Sequence, residues 1–180
     1  AEIRSYRKKL PTFTAKAELR EDMYSGLMVS SGQLLIGRET SIPAGRVEAL
    51  LAHEVGTHLV TFYNGQAQPL RLLSAGLAGY DSLQEGLAVL SEHLVGGLTR
   101  GRLRMLAARV VAAHMMSTGI PFSDTWQRLV DEFALDERSA WTVTMRVYRG
   151  GGLTKDAVYL RGLVEILEYI GKGGEIEPLF

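Results

Sequence analysis

The chain has 180 residues, 46% of them hydrophobic, which is enough for one domain with a core of its own and too apolar for a disordered tail. Its 20 basic and 20 acidic residues cancel, leaving no electrostatic footprint for nucleic acid or for an anionic membrane surface. With no cysteine, disulfides and thiolate ligands are excluded, so any metal site must draw on His, Asp or Glu.

No apolar run reaches the length of a membrane span, and the charged start Ala1-Glu2-Ile3-Arg4-Ser5-Tyr6-Arg7-Lys8-Lys9 carries no signal-peptide segment. A cytoplasmic protein is the expectation. The sequence begins without methionine, as a portion of a longer protein would. Residues Ala1 to Leu10 read as a helix stopped by Pro11, and Thr12 to Leu19 as a loosely alternating strand. Leu27-Met28-Val29-Ser30 and Gln33-Leu34-Leu35-Ile36 flank Ser31-Gly32, a hairpin signal. These strands predict a small N-terminal antiparallel sheet beside a helical body.

Pro43 and Ala44 open a helix to about Tyr63, which Asn64-Gly65 should close. A loop with Pro69, Gly76 and Gly79 follows. Asp81 is a plausible cap for a helix from Ser82 to about Val95 whose apolar stripe is Leu83, Leu87, Leu90 and Leu94. Glu85 lies off that stripe, in phase with Glu92. Further helices are expected over Arg100 to Met116, from a Ser123 or Asp124 cap to Phe133, over Glu137 to Tyr148, and from a Thr154 cap over Lys155 to Ile170. The fold class is α+β, predominantly helical, in one domain over residues 1–180.

The stretch that carries chemistry is Leu51-Ala52-His53-Glu54-Val55-Gly56-Thr57-His58-Leu59-Val60. Imidazole is a good zinc ligand, and a glutamate beside a metal-bound water can take its proton. Zinc-protease helices space their histidines at i and i+4, on one face. Here the spacing is i and i+5, which on a regular helix separates the rings by roughly 140°. A shared ion therefore requires a wide turn with i→i+5 bonding between Val55 and His58, and Gly56 weakens the regular helix at that point. Without that turn the two histidines are ordinary buried polar residues. A catalytic site needs a third ligand, and Glu85, one helix downstream, is the best placed; its other reading is a surface carboxylate near a helix N-terminus. A set of nitrogen and carboxylate ligands suits one zinc per chain, with iron or nickel as competitors. His93 and His114 are expected to be structural or solvent-facing, and Met115-Met116 to be core.

His53-Glu54-Val55-Gly56-Thr57-His58, Gly76-Leu77-Ala78-Gly79-Tyr80, Gln84-Glu85-Gly86-Leu87-Ala88 and Arg146-Val147-Tyr148-Arg149-Gly150-Gly151-Gly152-Leu153-Thr154-Lys155-Asp156 together resemble the QEGLA-motif family (DUF1704). That family includes the MATCAP-type tyrosine carboxypeptidases, which remove the C-terminal tyrosine of tubulin. Its hallmark is a histidine-glutamate-three-residue-histidine motif, which His53, Glu54 and His58 match. The resemblance implies a metalloprotease-like helical body. It also implies zinc held by His53, His58 and Glu85, with Glu54 as the base that activates the zinc water. The substrate implied is a peptide or protein C-terminus.

A carboxypeptidase also has to hold the substrate's terminal carboxylate. Arg149, the three glycines after it and Lys155 could supply charge and backbone donors, and Tyr159, one turn on from Lys155, a hydrogen bond to the oxyanion. The alternative for these residues is a solvated helix connection. Two other readings stay open for the whole chain: a zinc endopeptidase with an open groove, and a metal-binding regulatory protein with a closed site.

Overall fold

The computed structural model describes residues 1–23, 26–149 and 155–180, with Arg71 described in its backbone only. In chain order it comprises α1 (Glu2–Lys9), β1 (Ala17–Arg20), β2 (Leu27–Ser30), β3 (Gln33–Gly37), α2 (Ala44–His53), a π-helical turn (Glu54–Leu59), α3 (Val60–Ala67), a 3₁₀ turn (Arg71–Ser74), α4 (Tyr80–Leu94), α5 (Arg100–Ser117), α6 (Phe122–Asp131), α7 (Glu137–Tyr148), α8 (Lys155–Gly171) and a last 3₁₀ turn (Glu177–Leu179). The fold is α+β and predominantly helical. None of the described helices is long and apolar enough to cross a membrane.

The sheet has the order β1-β3-β2. The expected hairpin is there, with β2 antiparallel to β3 around Ser31 (φ 48°) and Gly32 (φ 72°), the pair of positive φ values of a tight hairpin turn. The sheet is mixed, however, because β1 lies parallel to β3 on its other side. The chain reverses twice between β1 and β3, so the two run the same way. The Tyr63 hydroxyl donates to the Gly32 carbonyl at 3.1 Å, and a side chain at Gly32 would run into the Phe62 ring. The hairpin tip is thereby pressed onto α3. Phe13, Leu34, Val55, Leu59 and Tyr63 form the core under the sheet.

α2, the π turn and α3 form one rod from Ala44 to Ala67. Asn64-Gly65 does not end it. Gly65 is instead a point of close approach, where an added Cβ would stand 2.7 Å from the Leu73 carbonyl oxygen. α4 crosses this rod and packs on its other side against α8. Its first residue is Tyr80, after Gly79 at φ 84°, so Asp81 sits in the first turn instead of capping it. Being covered on two sides, α4 buries much more than a stripe: Ser82, Glu85, Gly86, Leu87, Ala88, Val89, Leu90 and Glu92 are all buried, while Leu94, expected to be in the core, is exposed. α4 and α8 meet backbone to backbone at Gly86 and Gly162. A Cβ on Gly86 would come within 2.3 Å of the Gly162 carbonyl carbon, and one on Gly162 within 1.8 Å of the Ser82 carbonyl oxygen.

The second core joins α4, α5 and α8 through Leu87, Leu90, Leu106, Leu163 and Ile166, and the third joins α5, α6 and α7 through Ala112, Leu129, Ala140, Val143 and Val147. Met115 is buried and Met116 packs against the third cluster, whereas His93 and His114 are exposed. α6 begins at Phe122 after Pro121, and the Ser123 hydroxyl turns to Asp124, so neither caps the helix. The expected glycine turn and Thr154 cap lie outside the described residues.

Candidate metal centre

The i,i+5 pair is resolved by backbone pitch. Six residues, Glu54–Leu59, form a π helix inside an otherwise α-helical rod. Thr57 fastens it: its hydroxyl donates to the Ala52 carbonyl at 3.2 Å and lies 2.9 Å from the Ser91 hydroxyl on α4. A Cβ built on Gly56 would make only ordinary contacts, with the Tyr6 hydroxyl at 3.4 Å and the Leu51 carbonyl oxygen at 3.9 Å, so the glycine there answers to backbone softness and not to crowding. With the pitch widened, the rings of His53 and His58 stand edge to face, their centroids 4.9 Å apart.

Both Nε2 atoms then converge on α4. Each lies 3.6 Å from Glu85 Oε2, and one donor atom from each of the three residues falls within 4.8 Å of the others. A distance of 3.6 Å is too long for a hydrogen bond. Glu85 Oε2 is buried and has no hydrogen-bond partner among the described residues, a costly condition for a carboxylate oxygen. Two ligands held at about 2.0–2.2 Å by one tetrahedral ion stand roughly 3.3–3.6 Å apart, so the spacing and the orphaned oxygen fit zinc.

His53 is held from behind. Its Nδ1 lies 2.9 Å from Glu92 Oε1, two turns along α4 from Glu85. Glu92 is fully buried and takes hydrogen bonds from Arg46 Nη2 at 2.9 Å and from Arg102 Nε and Nη2 at 3.0 and 2.8 Å. Two guanidinium groups thus keep this carboxylate ionised, and it in turn holds a proton on His53 Nδ1, so that Nε2 is the ring nitrogen turned toward Glu85. Glu92, Arg46 and Arg102 are residues around the cluster that the sequence reading did not single out for the site.

The charges sharpen the picture. Burial lowers the His53 pKa, but the neighbouring carboxylates of Glu85 and Glu92 outweigh it and hold the imidazole up at about 9. Burial works against the Glu85 carboxylate, yet the two histidines bring it well below the usual range. Burial raises Glu54, opposed by both histidines and reinforced by Glu85. Arg46 and Arg102 neutralise Glu92, so Glu54 and Glu85 are left to draw a cation between the imidazoles.

The cleft around this cluster encloses about 570 Å³ and is bordered by β2, the 73–77 segment, α5, α7 and α8. Glu54 lines it. So do Lys155, whose Nζ is 3.5 Å from Glu85 Oε1, and Tyr159, whose ring stacks on His53 at 6.4 Å. Arg149 is not brought there: it is exposed, in the turn after α7, while Arg146 one turn earlier reaches the cleft. Arg109 on α5 also lines it.

The profile of the family described as "Microtubule-associated tyrosine carboxypeptidase" (MATCAP) matches residues 2–180. Microtubule-associated tyrosine carboxypeptidase 1 of Mus musculus is 32% identical over 137 residues, covering 68% of this chain and 28% of the mouse protein. The Homo sapiens protein of the same name is 30% identical over 135 residues, with the same coverage of 68% and 28%. The chain thus corresponds to less than a third of the length of these relatives. No solved structure matches it significantly. The chain belongs to the MATCAP family of microtubule-associated tyrosine carboxypeptidases.

Proposed function

We propose that this chain is the catalytic part of a zinc-dependent carboxypeptidase. It removes one residue, tyrosine-like by analogy with its relatives, from the C-terminus of a peptide or protein in the cytoplasm. The observation that carries the reading is the convergence of His53 Nε2, His58 Nε2 and an orphaned Glu85 oxygen in a cleft that Glu54 also lines.

Zinc held by His53, His58 and Glu85 would supply Lewis acidity, polarising the scissile carbonyl and acidifying a water. The chain's own groups do the rest. Glu54 takes the proton of the attacking water and passes it to the leaving amine. Its burial-raised pKa makes it a better base than an exposed carboxylate. Tyr159, whose pKa is raised by burial and then by Glu85, stays a neutral phenol and can donate to the developing oxyanion. Lys155, partnered by Glu85, adds positive charge at the same wall. Glu92 locks the tautomer of His53.

The test is digestion of a peptide library by zinc-loaded protein, with products read by mass spectrometry. The expected result is loss of single C-terminal residues. Internal fragments would favour an endopeptidase, and no cleavage together with stoichiometric zinc would favour a regulatory metal protein.

A further inference from the structure

We infer that Arg109 is the residue that reads the free α-carboxylate of the substrate's C-terminus. The inference rests on the carboxypeptidase reading above and adds the anchor that reading requires.

Three arginines line the cleft: Arg102, Arg109 and Arg146. Two are engaged. Arg102 makes two hydrogen bonds to Glu92, and Arg146 Nε donates to Asp156 Oδ1 at 2.5 Å. Arg109 is not engaged in this way. Its side chain is only 16% exposed and its Nε is buried with no hydrogen-bond partner among the described residues. The nearest carboxylate oxygen, Asp156 Oδ1, is 3.9 Å away and already holds Arg146. Two guanidinium groups therefore share one buried aspartate, and one positive charge is in excess. Burial, then the charges of Arg146 and Arg102, bring the Arg109 guanidinium down to about 10, which leaves it charged at neutral pH but short of anionic company. A carboxylate arriving from the cleft would supply it, and a guanidinium fork matches that group in shape.

The placement suits a terminal residue. The Arg109 Cζ lies 5.6 Å from the centre of the Tyr159 ring, and that ring lies 6.4 Å from the His53 imidazole. One residue spans about 3.8 Å between Cα atoms, and a charge-assisted hydrogen bond adds about 2.8 Å. A carboxylate one residue beyond a carbonyl at the histidine cluster is within reach of a guanidinium that neighbours the same Tyr159 ring. Arg109 and His53 thus both neighbour the Tyr159 ring and both line the one cleft.

The test measures binding, so it holds even if turnover fails. Two peptides with the same sequence ending in tyrosine, one a free acid and one an amide, are titrated calorimetrically into zinc-loaded Glu54→Gln protein. The free acid is expected to bind roughly tenfold to a hundredfold more tightly. Adding Arg109→Met should bring that ratio to about one while leaving amide affinity and zinc content unchanged. Arg109→Lys, which keeps the charge and loses the fork, should fall between. If Arg109→Met does not fold, the lysine variant decides. A ratio near one with Arg109 intact would overturn the inference, as would a ratio that either variant leaves unchanged. Tight free-acid binding without cleavage by the unaltered protein would sink the peptidase reading and leave this anchor standing.

Discussion

His53 Nδ1 and Glu92 Oε1 lie 2.9 Å apart inside the protein, and this contact decides what the other side of the imidazole can do. The two residues come from α2 and α4, 39 positions apart in sequence. The contact fixes the orientation of the ring and turns Nε2 toward the cleft side, where a proposed metal would take it as ligand. The same carboxylate gathers Arg46 and Arg102, so it also ties α2, α4 and α5 into one unit.

Glu92→Gln should therefore weaken both the site and the fold. Losing a partner behind a metal ligand costs roughly tenfold to a hundredfold in metal affinity. Breaking a buried ion pair on one side costs about 3–5 kcal/mol, and here two guanidinium groups lose their counter-charge. Zinc titration against a competing chelator reads the first effect, and urea unfolding of the metal-free protein reads the second.

Gly86→Ala and Gly162→Ala should each destabilise the protein by about 1–3 kcal/mol. The added methyl meets backbone atoms of the facing helix, which cannot turn aside, so the clash exceeds the helix propensity gained. Because Glu85 is the neighbour of Gly86, and Lys155 and Tyr159 lie on α8, separating these helices should also lower metal affinity. Thermal melts with and without zinc check both effects.

Zinc should stabilise the folded chain by mass action. At a concentration one hundred times its Kd the gain is about 2.7 kcal/mol, which for a domain of this size raises Tm by roughly 5–10 °C. His53→Ala or His58→Ala should abolish that shift, and an exposed His114→Ala should retain it. Melts recorded against a chelator series measure it.

Much of this was legible in the chain, for identifiable reasons. The i,i+5 spacing of His53 and His58 demanded a widened turn, because a regular helix splays the rings, and the π helix falls over Glu54–Leu59. Hydrophobic periodicity located all the helices of the body, since each buries a face. It failed on α4, which is covered on two sides, so Glu85 and Glu92 lie in the interior off the leucine stripe. A signal was present: Glu85 and Glu92 are seven residues apart, as are Arg102 and Arg109 on α5, and such pairs share a helix face. That they face a common cleft depends on how α4, α5 and α8 cross, which local spacing does not encode. The glycines after it single out Arg149 in the sequence, but it is Arg146, three residues earlier, that reaches the cleft. The parallel pairing of β1 was equally hidden, because alternation marks a strand without giving its direction.

The central claim is that His53, His58 and Glu85 hold a metal on which Glu54 acts as the base. Its most direct test is the turnover of a tyrosine-ending peptide by Glu54→Gln protein carrying one zinc per chain. The substitution keeps the size of the side chain and removes the proton acceptor, so turnover should fall on the order of a hundredfold to ten-thousandfold with zinc content unchanged. Turnover equal to that of the unaltered protein, at the same zinc content, would contradict the account.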